Sequence, residues 1–230
     1  MSQHVAADIA FDLALEHGRC VGVRIPAAGA ALDALARAAL SPDEQARAAA
    51  MAGPRRRTWV GGRAAMREAL TRAGLPPVVV PSDDRGAPVL PAGVAGSVTH
   101  KEALAAALVA TESRARVGVD LELDIVRSQD IASRILTSDE IAEIAHLGAD
   151  ERAREVLLRF SAKEAVYKAL DPFVRRYVGF LEVSVSPRED GTARVTHGLR
   201  EHEGPFAIHV RWRRFDGIVL TSARVVPTGS

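Results

Sequence analysis

Two stretches near the C-terminus leave little freedom in what this chain can fold into. LEVSVSPREDGTARVTHG (181–198) and FAIHVRWRRFDGIVLTSARVV (206–226) each set alternating segments on either side of an Asp-Gly pair. A period of two is that of a strand, and Asp-Gly supplies the positive-φ residues of a tight hairpin turn. The last sixty residues therefore predict two antiparallel hairpins. The residues before them do the opposite. Apolar side chains at helical spacing predict a long helix over 150–170, and Ser138-Asp139-Glu140 caps a shorter one near 138–147.

The first half mixes the same two patterns. IAFDLAL and CVGVRI alternate weakly and suggest one or two strands. From Ala27 to about Gly53 the chain is Ala-rich and helical in spacing, with Ser41-Pro42-Asp43-Glu44 supplying an N-cap, a first-turn proline and early acids. Pro54 separates this from a helix at about 55–73, which ends at Gly74. A Pro/Gly-rich connection follows (75–96), with a short VVV strand inside it. The apolar run ALAAALVA (103–110) is read as a strand because it leads directly to the turn TESRA and the strand VGVDLEL. Helices and strands in both halves make the class α+β. The best internal boundary is the polar turn around 111–116, giving parts 1–113 and 114–230.

With 47% hydrophobic and 26% charged residues, the chain should bury a core without staples. Thirty basic side chains against 29 acidic ones leave a formal charge of +1, so bulk electrostatics predict neither nucleic acid nor an anionic membrane as partner. Cys20 is the sole cysteine, which excludes an internal disulfide and suits a reducing cytoplasm. The opening residues lack a basic leader followed by an apolar core, and the most apolar run is too short to span a bilayer. A soluble, cytoplasmic protein is expected.

Positive charge is supplied almost entirely as Arg: 27 arginines against three lysines. Two of those three, Lys163 and Lys168, stand in one short stretch, RFSAKEAVYKAL (159–170). A compact ammonium is harder to replace by guanidinium where a point charge must reach a particular oxygen. Glu164 and Lys168 are four residues apart and share a helix face with Phe160, while Ala162, Ala165, Val166, Ala169 and Leu170 form the expected buried side. In GVDLEL (118–123) a strand turns Asp120 and Glu122 to one face, roughly 7 Å apart along it. Their mutual repulsion, about 2 kcal/mol at an effective dielectric of 20, becomes attraction if a hard divalent cation such as Mg²⁺ sits between them. A solvated strand face and a surface Glu–Lys pair carry the same patterns. Upstream, GSVTH (96–100) offers hydroxyls, backbone N–H groups and an imidazole to a phosphate. PRRRTWVGGR (54–63) gathers Arg55, Arg56, Arg57 and Arg63 at a helix start, where positive charge opposes the macrodipole and calls for an anion or solvent.

In this order, G-V-D-L-E … F-S-A-K-E-A-V-Y-K resembles the signatures of the Sfp-type 4′-phosphopantetheinyl transferase superfamily. RGAPVLPAGVAGSVTH and RRRTWVGGRAAMREAL are similar to its enterobactin synthetase component D branch. The resemblance runs from about Arg55 to Leu170. Phe160 replaces the commoner Trp, Thr99 a frequent Ser, and Ala87 a frequent Lys, so that phosphate contact is either absent or supplied by Arg85.

The resemblance implies two similar α/β halves with pseudo-twofold symmetry and a monomeric enzyme. This enzyme would transfer the 4′-phosphopantetheine arm of coenzyme A to a serine of an acyl or peptidyl carrier protein, releasing adenosine 3′,5′-bisphosphate. It further implies Mg²⁺ held by Asp120, Glu122 and Glu164, and phosphate charge neutralised by Lys163 and Lys168, Lys168 being nearest the reacting centre. Glu164 becomes the candidate base, directly or through water. Thr99, His100 and the arginines near 55–63 (Arg55, Arg56, Arg63) would hold the 3′-phosphate and nucleotide. A Mg²⁺-dependent phosphohydrolase using the same carboxylates, and a non-catalytic module binding coenzyme A or a carrier, are the alternatives. For carrier docking the segment 123–144 offers Ile125, Val126, Ile131, Ile135 and Leu136 with Arg127 and Arg134, either as an exposed patch or as core.

Overall fold

The computed structural model describes residues 7–76, 78–125 and 131–229, and divides into two compact units, Met1–Ser113 and Arg114–Ser230. The first contains β1 (Ile9–Leu15), β2 (Gly18–Arg24), α1 (Ala30–Ala39), α2 (Pro42–Ala49), α3 (Gly53–Arg72), β3 (Val94–Lys101) and β4 (Leu104–Thr111). Its strands form an antiparallel sheet in the order β1-β2-β4-β3. The run 103–110 reads as continuously apolar because β4 is an inner strand whose residues Ala105–Val109 are all buried. Small residues let α3 lie close to this sheet: a β-carbon on Gly61 would press into Ile25, and one on Gly62 into Val98. Ser41 caps α2 through a reciprocal box with Glu44. The expected VVV strand is absent. Val80 donates its N–H to Glu44 Oε1 (3.1 Å), so a side chain takes the bond that a neighbouring strand would have taken.

The second unit contains β5 (Arg116–Leu123), α4 (Ala132–Ile135), α5 (Ser138–Ile144), α6 (Ala149–Val174), β6 (Val183–Pro187), β7 (Thr192–His197), β8 (Phe206–Phe215) and β9 (Ile218–Pro227). Both Asp-Gly hairpins form, and the five strands run antiparallel in the order β5-β9-β8-β7-β6. The predicted inner side of α6 (Ala162, Ala165, Val166, Ala169 and Leu170) packs with Val183, Val185, Val210, Ala223 and Val225 of the sheet. Each unit thus repeats one plan, an antiparallel sheet carrying one long helix, and the α+β class holds. Among the described residues no helix is long and apolar enough to cross a membrane.

Beyond the end of α6, Arg176 clamps two carboxylates, Glu203 (2.5 Å) and Glu182 (2.6 Å). The guanidinium holds Glu203 down to a pKa of about 2, and Glu182 is lowered by the same partner. With the folded pKa depressed, the unfolded chain binds more protons as pH falls from the ordinary value near 4.5 towards about 2, so the stability this clamp contributes is lost across that window. Arg176→Gln should flatten the decline of the urea midpoint between pH 5 and 2.5. An unchanged decline would show that the clamp is not what acid disrupts.

Candidate active site

Gly118, Asp120 and Glu122 alternate along β5 on the face that meets α6. Gly118 allows the contact: a β-carbon there would collide with the carbonyl oxygen of Ala165 and the backbone nitrogen of Ala169. A glycine inside a strand often marks such a close backbone approach. Gly118→Ala should destabilise the protein by about 2–3 kcal/mol, since neither backbone can retract into a flexible side chain. A melting temperature equal to wild type would mean that helix and strand are not so close.

That proximity puts Asp120 under the signature helix. Lys168 Nζ donates to Asp120 Oδ1 (2.7 Å) and to the Val119 carbonyl (3.0 Å). Ser161 Oγ donates to Asp120 Oδ2 (2.9 Å), and Thr221 Oγ1 lies 3.0 Å from Ser161 Oγ. Asp120 and Glu122 are both buried, so the solvated-face reading of D-x-E does not apply. Glu164, half-buried on the same helix, has its carboxyl pushed up in pKa, first by burial and further by the charges of Asp120 and Glu122, with Lys168 opposing. The structure therefore brings Asp120, Glu122, Glu164 and Lys168 into one electrostatic cluster with more negative charge than positive.

Lys163, expected on phosphate, is held in a separate set of contacts. Its side chain is 1% exposed against 24% for Lys168. All three ammonium protons are taken, by Glu140 Oε2 (2.6 Å), the Ile135 carbonyl (2.7 Å) and the Phe180 carbonyl (2.9 Å). Burial lowers its pKa, Glu140 pulls it back up, and Arg159 lowers it. Glu140 is itself fully buried, and also accepts from the N–H groups of Thr137 (2.7 Å) and Val185 (2.8 Å). Thr137, not Ser138, is the cap of α5, and Glu140 closes the box. Ile135 and Leu136 of the expected docking patch are core residues, whereas Ile125 and Arg134 are exposed. Val126 and Arg127 lie outside the described residues.

In the first unit the expected phosphate contacts separate. Thr99 and His100 are neighbours on β3 and point to opposite faces, Thr99 buried and His100 exposed, with His100 on the Val98 side that meets α3. Arg55 is exposed at the start of α3. Arg56 is bound to Asp33 (2.6 Å), and Arg57 to the Ile25 and Pro26 carbonyls. Arg63 is buried, donates to Ser82 Oγ (2.7 Å), and packs over the Trp59 ring; burial lowers its pKa, with Glu44 opposing. Arg85 is exposed in a loop whose backbone is folded by Asp83, which accepts from the N–H groups of Arg85 and Ala87.

As the side chains stand, no three His, Cys, Asp or Glu among the described residues are gathered closely enough to hold a metal ion. The chemistry of Asp120, Glu122 and Glu164 nonetheless fits a hard divalent cation. All donors are carboxylate oxygens; burial is the main cause that raises the Glu164 pKa, and the smaller part due to Asp120 and Glu122 is repulsion that a cation would relieve. Three residues of this neighbourhood were not assigned roles by sequence reasoning. Gly118 left a signal, a glycine within a strand. Ser161 stood inside the signature with no stated partner, and Thr221 left none.

Residues 43–110 match the family model described as the 4′-phosphopantetheinyl transferase N-terminal domain, and residues 116–222 match that of the 4′-phosphopantetheinyl transferase superfamily. 4′-Phosphopantetheinyl transferase Npt of Nocardia iowensis is 33% identical over 182 residues, covering 73% of this chain and 81% of that protein. 4′-Phosphopantetheinyl transferase Svp of Streptomyces mobaraensis is 32% identical over 204 residues, covering 83% and 81%. Enterobactin synthase component D of Escherichia coli (strain K12) is 32% identical over 136 residues, covering 58% and 60%.

Proposed function

Since this chain belongs to the 4′-phosphopantetheinyl transferase superfamily, we propose that it moves the phosphopantetheine arm of coenzyme A onto a serine of an acyl or peptidyl carrier protein. The observation that supports this reading is the cluster of Asp120, Glu122 and Glu164 around Lys168 on the signature helix. The serine oxygen bonds to the β-phosphorus of coenzyme A while the bridging P–O bond breaks, and adenosine 3′,5′-bisphosphate leaves. Mg²⁺, when bound, would be held by Asp120, Glu122 and Glu164 and would neutralise pyrophosphate charge.

The remaining work falls to the chain's own groups. Glu164 takes the serine proton, directly or through water, and the burial that raises its proton affinity suits it to do so. Lys168, anchored at Asp120 and the Val119 carbonyl, stabilises the oxygen of the departing phosphate. Exposed Arg55, Arg85 and His100 are the proposed contacts for the 3′-phosphate and nucleotide. Lys163 and Arg56 are left out of this site because Glu140 and Asp33 already bind them. A monomer in the cytoplasm completes the reading.

Release of adenosine 3′,5′-bisphosphate from coenzyme A, followed by chromatography, tests it. Release should require an apo carrier protein and stop when the carrier's acceptor serine is replaced by alanine. Equal release without any carrier would make the protein a phosphohydrolase.

A further inference from the structure

Ser161 and Thr221 are both fully buried; Ser161 holds one oxygen of Asp120, and Thr221 holds Ser161. Counting protons gives the linkage a direction. Thr221 has one proton, and with the Ser161 proton used elsewhere it is Thr221 Oγ1 that donates, sharing that proton between the Ser161 carbonyl (2.8 Å) and Ser161 Oγ (3.0 Å). An ionised carboxylate can only accept, so the single Ser161 hydroxyl proton goes to Asp120 Oδ2 at 2.9 Å. A helical serine commonly turns its hydroxyl back to the carbonyl one turn earlier. Here Thr221, reaching across from β9, supports the outward direction instead. The other oxygen of Asp120 is held by Lys168, seven residues further along the same helix. Two donors on one helix therefore grip the two oxygens separately and fix the rotation of the carboxylate.

We propose that Ser161 is a positioning residue for the transfer reaction, with Thr221 setting the direction of its hydroxyl. Without this pair Asp120 rotates, and Lys168, bound to it, loses its fixed place. The proposal rests on the transferase reading above for its kinetic consequences, and on geometry alone for the orientation of Asp120.

Four variants and one crystal structure test it. Ser161→Ala should lower kcat for carrier modification about 30-fold, with the KM for coenzyme A changed less than about threefold, because an oriented group acts on the reaction more than on ground-state binding. Thr221→Val, which keeps the shape and loses the hydroxyl, should lower kcat about tenfold. Thr221→Ser, which keeps the hydroxyl and loses a buried methyl, should retain more than about half of kcat while melting at a lower temperature. Adding Thr221→Val to Ser161→Ala should cost nothing further in kcat, since both act through one bond. In a crystal of Ser161→Ala, Asp120 should occupy more than one orientation. A kcat that follows melting temperature across the variants, or an Asp120 unmoved in that crystal, would overturn the proposal. Failure of wild type to modify any carrier would count against the transferase reading, and the crystal would still decide the positioning.

Discussion

Replacing Glu140 by alanine should destabilise the second unit by about 3–5 kcal/mol, the loss typical of removing one member of a buried ion pair. The variant strands the Lys163 ammonium in a site with 1% exposure and leaves the N–H groups of Thr137 and Val185 without their acceptor. Lys163→Met should cost a similar amount by stranding the carboxylate. The double variant Glu140→Leu/Lys163→Met should recover much of the loss, because well-packed apolar groups of similar volume replace a buried pair at little or no net cost. Urea unfolding measures all three. The series also decides the role of Lys163. If it bound phosphate instead, Lys163→Met would weaken coenzyme A binding and leave the unfolding midpoint where it was.

The second large effect is on turnover. Lys168→Ala should lower kcat by about 10²–10³, the range seen when one preorganised donor is removed from developing negative charge. Asp120→Ala should lose at least as much, because it removes a proposed Mg²⁺ ligand and the anchor of Lys168 together. Lys168 is partly exposed, and loss of the buried Asp120 carboxylate also relieves its repulsion of Glu164, so the unfolding midpoint should change by less than that of Glu140→Ala in both variants. Steady-state kinetics with a carrier protein, at saturating coenzyme A, reads both. Near-normal turnover of Asp120→Ala at low Mg²⁺ would remove Asp120 from the site.

The two hairpins and the buried side of α6 were legible because local physics decides them. An Asp-Gly turn fixes the partner strand, and a 3.6-residue period fixes a helix face whatever it packs on. The apolar run of β4 was readable through its neighbours, since a buried inner strand and a buried helix look alike over eight residues. Lys163 shows where such reading stops. The rarity of lysine pointed rightly to an ammonium that must reach a particular oxygen, but the oxygens belong to Glu140, Ile135 and Phe180, which are 17 to 28 residues away in the chain. Only the tertiary fold brings them there. The same limit separated Ile135 and Leu136, which entered the core, from the exposed Ile125, and hid the hydroxyl pair of Ser161 and Thr221, sixty residues apart. Thr99 and His100 stand apart for a local reason: once GSVTH lies within a strand, adjacent side chains cannot share a face.

The measurement that bears most directly on transfer is the intact mass of a purified apo carrier protein before and after incubation with this protein, coenzyme A and Mg²⁺. The proposed chemistry predicts a gain of one phosphopantetheine arm, located on the acceptor serine, absent without Mg²⁺ and absent with Lys168→Ala over the same short time. An unchanged carrier mass while coenzyme A is consumed would contradict it.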